Sequence, residues 1–136
     1  MAQVQRTRSP TIPTMKLDLD RTGGNLIRGF AGGRILIGAD IIRAPVIVTI
    51  DRIIHDWSPS AVEKLGVVDF QPVLALEPDV ILLGTGERQR FPSMTLITAI
   101  LRLGVGLEIM DTAAACRTYN VLAAEYRRVA AALFIH

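Results

Sequence analysis

Apolar residues in this chain fall into short runs punctuated by glycine and proline, and the runs change character near residue 55. From Met15 to about Ile54 they read as strands. "RTGGNLIRGF" (21–30) is a glycine turn followed by a short apolar run, and "AGGRILIG" (31–38) repeats that pattern. "APVIVTI" (44–50) is continuous and β-branched, as a buried strand is. Pro45 falls at its first residue, where no ladder donor is lost. Three strands with short glycine links predict an antiparallel meander. Helix signals then set in. Ser58-Pro59 predicts an N-cap with proline at the first helical position before "SAVEKL", and Asp69 the cap of a second short helix, "FQPVLAL". "DVILLG" (79–84) is apolar on both faces, the mark of a central parallel strand. "SMTLITAILRLG" (93–104) places Leu96, Ile97, Ile100 and Leu101 on one helical face and stops at Gly104. "VGLEIM" (105–110) is a strand, "DTAAACRTYNVLAAE" (111–125) an alanine-rich helix capped by Asp111, and "RRVAAALFI" (127–135) the closing strand. The order β-α-β-α-β predicts a parallel sheet with right-handed crossovers. The expected fold class is therefore α/β: a three-layer single domain whose N-terminal part is antiparallel and β-rich.

Composition sharpens this in a few places. Residues 1–14, "MAQVQRTRSPTIPT", have no acid and no apolar period and are expected to form a flexible arm with a faint transit-peptide character, leaving 15–136 as the domain. With 136 residues, half of them hydrophobic, the chain has enough material for a core and is not of the disordered or fibrous classes. No apolar run approaches the roughly eighteen residues that would span a bilayer, and no signal-peptide pattern opens the sequence. The expectation is a soluble, cytoplasmic protein. Cys116 is the single cysteine, which suits a reducing compartment, and with only His55 and His136 besides, no metal site is expected. Net charge is +2, and Lys16 and Lys64 are the only lysines, so arginine carries nearly all the positive charge. Arginine pairs bidentately with carboxylate and phosphate. The arginines are scattered and only Phe91 lies near a basic loop, so no nucleic-acid platform is expected.

Candidate chemistry gathers where two predicted parallel strands end, the usual ligand-binding edge of such a sheet. The first ends in Gly84-Thr85-Gly86 and runs on to Arg88 and Arg90; the second ends in Asp111-Thr112. On the following helix Arg117 and Asn120 are three apart and Cys116 and Asn120 four apart, so each pair is expected to share a side. Gly84, Thr85, Gly86, Arg88, Arg90, Asp111, Thr112, Cys116, Arg117 and Asn120 thus form a candidate ligand or partner site, with no catalytic residue, metal or cofactor assigned. Two readings stay open. The glycines let backbone approach an anion on which arginines close, or they form a tight turn whose arginines pair with Glu87 or Asp111. No third glycine completes a dinucleotide fingerprint and no "GK[ST]" completes a P-loop. Cys116 is either a thiol activated beside Arg117 or a small hydrophobe among alanines. Asp111 caps its helix more simply than it serves as a base. Tyr119 and Tyr126, seven apart, are expected on one face as core or rim. Trp57 is expected to anchor its loop on the core, and His55 to be an ordinary loop histidine. The Ala113–Ala115 run implies close packing, with the fold, a partner or a second copy in a homo-oligomer covering the helix.

"GTGERQRFP" (84–92), followed by "GVGLEIMDTAAACRTYNVLAAEYRRVAAAL" (104–133), with the Asn25–Phe30 strand and Trp57, resembles the Mth938-like family, a domain of unknown function, over residues 15–135. The matching positions are Gly84, Thr85, Gly86, Phe91, Pro92, Asp111, Thr112, Cys116, Arg117, Thr118, Tyr119 and Asn120. The resemblance implies a three-layer α/β fold with a β-rich start and supplies no catalytic residues. Its mitochondrial branch is the NADH:ubiquinone oxidoreductase assembly factor 3, a non-catalytic protein that works with a partner factor at the inner membrane. The chain is accordingly expected to be a bacterial interaction or assembly-factor-like protein. Its expected partners are membrane-associated respiratory-complex subunits, and its expected location is peripheral to the inner membrane, or mitochondrial if eukaryotic. The alternative is a small-molecule (anion) binding protein or enzyme at the "GTGERQRFP"/"DTAAACRTYN" edge.

Overall fold

A computed structural model describes residues 24–136. The arm expected over 1–14 and the domain start at 15 lie outside the described residues. In chain order the strands are β1 (Ile27–Ala31), β2 (Arg34–Ile37), β3 (Asp40–Ile42), β4 (Val46–Thr49), β5 (Arg52–Ile54), β6 (Val80–Thr85), β7 (Gly106–Met110) and β8 (Val129–Phe134). The helices are α1 (Val67–Leu74), α2 (Met94–Arg102) and α3 (Thr112–Ala124), with a 3-10 turn at Val62–Lys64. β1-β2-β3 form a small antiparallel sheet, and a second sheet runs β5-β4-β8-β6-β7. Within it β6 is parallel to β7 and β8, while β4 is antiparallel to β8 and β5.

The middle strands are buried on both faces, and their side chains divide by pleat. Val80 and Leu82 of β6, Val129, Ala131 and Leu133 of β8 and Val46 and Val48 of β4 face one core. That core also holds Ala115, Cys116, Tyr119 and Ala123 of α3 and Ile27, Ile35, Ile37 and Ile42 of the small sheet. The opposite pleat, Ile81, Leu83, Ala130, Ala132, Phe134 and Ile47, meets Phe70 and Val73 of α1, Leu96 and Ile100 of α2, and Trp57, Val62 and Leu65. The layers are therefore α1 and α2, the five-stranded sheet, and α3 with the small sheet. The fold itself covers the alanine-rich helix: α3 packs on β6 and β8 and also on β1.

The N-terminal meander exists, but its third strand is Asp40–Ile42; residues 46–49 instead pair with β8 and belong to the large sheet. No α-helix starts at Ser58-Pro59. Ala61 is extended before the Val62–Lys64 turn, and three residues are too few to be more than a connector. Asp69 is not a cap residue. Gly66 holds that position, and the Asp69 carboxylate, three residues on, accepts from the Gly66 N–H at 2.9 Å. On α2 only Leu96 and Ile100 are buried, and Leu101 is exposed. Trp57 anchors its loop as expected, 5% exposed, with its indole N–H donating to Asp69 O at 2.8 Å and its ring edge-on to Phe70 and Phe134. Tyr119 is fully buried, but Tyr126 lies past the end of α3 and is exposed, so the two do not share a face.

Candidate functional site

β6 delivers Gly84-Thr85-Gly86 to the first turn of α3. Each glycine has its own reason. A Cβ on Gly84 would lie 2.9 Å from Thr112 Oγ1, 2.9 Å from Leu133 Cδ2 and 3.1 Å from Thr112 Cα, so glycine is what lets the helix touch the strand. Gly86 has φ +100, and a Cβ there would meet the His136 backbone at 2.5 Å. Thr112 binds the turn from the helix side. Its N–H donates to Gly86 O at 2.8 Å, its hydroxyl donates to Phe134 O at 2.6 Å, and the same oxygen accepts from Gly86 N at 2.8 Å. Thr85 Oγ1 accepts from Arg90 N at 3.0 Å and donates to Arg88 O at 2.7 Å, with Met110 O at 3.2 Å as its second acceptor. Asp111 caps α3 by accepting from Ala114 N at 2.8 Å.

Gly84, Thr85, Gly86, Asp111 and Thr112 thus come together as one hydrogen-bonded knot. The cradle this would offer an anion is partly spent, since the Gly86, Thr112 and Ala114 N–H groups already have acceptors. Arg88 and Arg117 are exposed. Arg90 is paired with Glu63 at 3.7 Å, not with Glu87 or Asp111.

Cys116 and Asn120 share the buried side of α3, as their spacing predicts, whereas Arg117 is turned outward and does not join Asn120. The Asn120 carboxamide pairs with one residue of β1: Oδ1 accepts from Ile27 N at 2.8 Å and Nδ2 donates to Ile27 O at 2.6 Å. This occurs where β1 slips register against β2, between Ile27 and Gly29. The side chain thereby satisfies a backbone donor and acceptor beside that irregularity. Tyr119 OH donates to Asn25 O at 2.6 Å, adding a second tie between α3 and the start of β1. Burial pushes the Cys116 thiol up to about 12, opposed only in part by Arg117, and it pushes the Tyr119 phenol up as well. Cys116 is a protonated, buried thiol at neutral pH.

A cavity of about 360 Å³ opens at the other end of the sheet, between the β4–β5 turn (Thr49–Arg52), Leu76 and Pro78 before β6, and Tyr126–Val129 after α3. The "EYRR" run is its only sequence signal, and nothing in spacing alone links that run to Arg52.

The profile of a protein of unknown function (DUF498/DUF598) matches residues 27–134. An NMR structure of a Xanthomonas campestris protein is 43% identical with a TM-score of 0.75, covering 82% of this chain and 84% of its own. A Bordetella pertussis protein described as a Mth938-like domain is 26% identical with a TM-score of 0.70, over 82% and 85% of the two chains. Among characterised sequences, a 13 kDa major membrane protein of Francisella tularensis is 28% identical over 74% of this chain and 82% of its own. The Xenopus tropicalis NADH dehydrogenase [ubiquinone] 1 alpha subcomplex assembly factor 3 is 28% identical over 87% of this chain. The chain spans 65% of that relative's length. Among the described residues, no helix is long and apolar enough to cross a membrane. With the profile covering residues 27–134 and the Mth938-like fold around it, the chain belongs to the DUF498/DUF598 family.

Proposed function

We propose that this protein is a non-catalytic interaction protein of the assembly-factor type, acting on subunits of a membrane-bound respiratory complex. One observation carries the reading: relatives from frog to human at 27–30% identity are named as assembly factor 3 of NADH dehydrogenase. The geometry supports it. At the strand tips the hydroxyls of Thr85 and Thr112 and the Asp111 carboxylate are engaged in holding the fold, as is the Asn120 amide farther along α3. The groups left outward are of the contact kind, the exposed Arg88 and Arg117 with the exposed Phe91 and Met94. Arginine and aromatic or methionine side chains are the residues enriched at protein interfaces.

The test is affinity purification of the tagged full chain from gently solubilised native membranes, with Arg88→Ala/Arg117→Ala as the comparison. The expected result is co-purification of identified respiratory-complex subunits, reduced at least several-fold in the double variant. Recovery of no such subunit with the unaltered protein would overturn the reading. Equal recovery with the double variant would move the interface away from this edge.

A further inference from the structure

We propose that the 360 Å³ cavity at the end of the sheet opposite Gly84–Gly86 is a binding site for a small organic anion: a carboxylate or phosphate carried on an apolar body. It stands independently of the assembly reading and uses none of the strand-tip residues.

The lining combines three arginines with one carboxylate, on walls from separate parts of the chain. Arg52 comes from the start of β5, and Arg127 and Arg128 from the segment between α3 and β8. The carboxylate, Asp51, accepts from the Thr49 hydroxyl at 3.0 Å. Arg128 lies 3.5 Å from Asp79, and both side chains are more than half exposed, so water competes strongly with that pair. The Arg52 and Arg127 guanidinium groups make no hydrogen bond or ion pair with any described residue. Two planar forks brought to one cavity from separate segments suit an oxyanion. Leu76, Pro78, Ala123 and Val129 supply an apolar floor, and the volume is at the lower end of the range for small-molecule sites.

The backbone gives a second, independent sign. Tyr126 has φ +61, in the position after a helix end that glycine usually fills. Its N–H donates to Ala123 O at 3.0 Å and the Arg127 N–H to Leu122 O at 3.1 Å, closing the helix in a left-handed turn. A tyrosine held there is disfavoured, and such residues concentrate at ligand sites. The same bonds occupy the Ala123 and Leu122 carbonyls, which reduces the negative charge the helix end would otherwise present to an anion.

The experiment is an amide NMR titration of the full chain with phenyl phosphate and benzoate, run beside benzyl alcohol and inorganic phosphate. The expected result is saturable shifts confined to residues 49–52 and 126–129 with at least one aromatic anion. Binding should weaken about tenfold or more in Arg52→Ala/Arg127→Ala. It should weaken about fivefold or more in Tyr126→Gly, which accepts the left-handed turn and so keeps the helix end. The preferred probe identifies the oxyanion. No saturable binding, unchanged affinity in the arginine double variant, or benzyl alcohol binding as tightly as the anions would overturn the site. Inorganic phosphate binding as tightly as phenyl phosphate would overturn the apolar-body requirement.

Discussion

Cys116 shows how burial decides between two chemistries that the sequence alone leaves open. Next to Arg117 in the chain, it reads either as an activated thiol or as a small hydrophobe. The side chain is fully buried, and desolvation outweighs the arginine. The thiol's folded pKa is raised from an ordinary 9.0 to about 12, so the native state holds the proton more tightly than the unfolded chain does. Below pH 9 both states are protonated and the contribution to stability is complete; between 9 and about 12 it is progressively lost as the unfolded chain ionises first. Tyr119 acts in the same direction from pH 10 upward. The expected outcome is a urea midpoint that falls above pH 9, with Cys116→Ala removing the part of that fall that begins first. The native thiol should also resist a disulfide reagent at pH 8 and react once unfolded. Asn120 carries a related lesson. Helical spacing places it beside Cys116, but a period of 3.6 cannot reveal that its amide partners are at Ile27, 93 positions away.

At the scale of elements, the β6–α2–β7–α3–β8 half was legible because each piece carries its own local signal. Ser93 and Asp111 cap their helices through side-chain oxygens, Gly104 ends α2 at φ +82, and β6 is buried along its whole length. The first half was less legible. "APVIVTI" marks a buried strand without saying which sheet takes it, because long-range pairing, not propensity, decides. Helical periodicity misplaces Tyr126, because the helix ends before it and the chain turns there through a left-handed residue. Gly84-Thr85-Gly86 stands out in the sequence, but the close approach of α3 and of His136 that requires the two glycines does not. Gly84→Ala should therefore destabilise the protein by about 1–3 kcal/mol through crowding of Thr112 and Leu133. Gly86→Ala should cost more, since it adds left-handed strain to a backbone contact at 2.5 Å. Thermal unfolding of the two variants checks both the sign and the order.

For the molecule as a whole, α/β class and three layers follow from the alternation of elements, whereas strand order does not. The sheet runs β5-β4-β8-β6-β7, so among the described strands β8 alone joins the β4–β5 hairpin to the parallel β6–β7 pair. Val46 pairs with Leu133 on one side of β8, and Val80 with Val129 on the other. Both hydrophobic cores draw on this strand, through alternate residues. A chain cut after Arg127 should therefore lose cooperative unfolding and amide dispersion altogether rather than lose one edge of the sheet. Retention of a dispersed NMR spectrum by the shortened chain would contradict this account of the fold.

The central position of β8 also has a consequence in time. During synthesis β4, β5, β6 and β7 all leave the ribosome before the strand that joins them. Until residues 129–134 emerge, the apolar edges of β4 and β6 have no neighbour. Contacts between segments so far apart close slowly, and open strand edges invite pairing with other chains. The emerging chain is therefore most open to aggregation in the interval before residues 129–134 arrive to close the sheet.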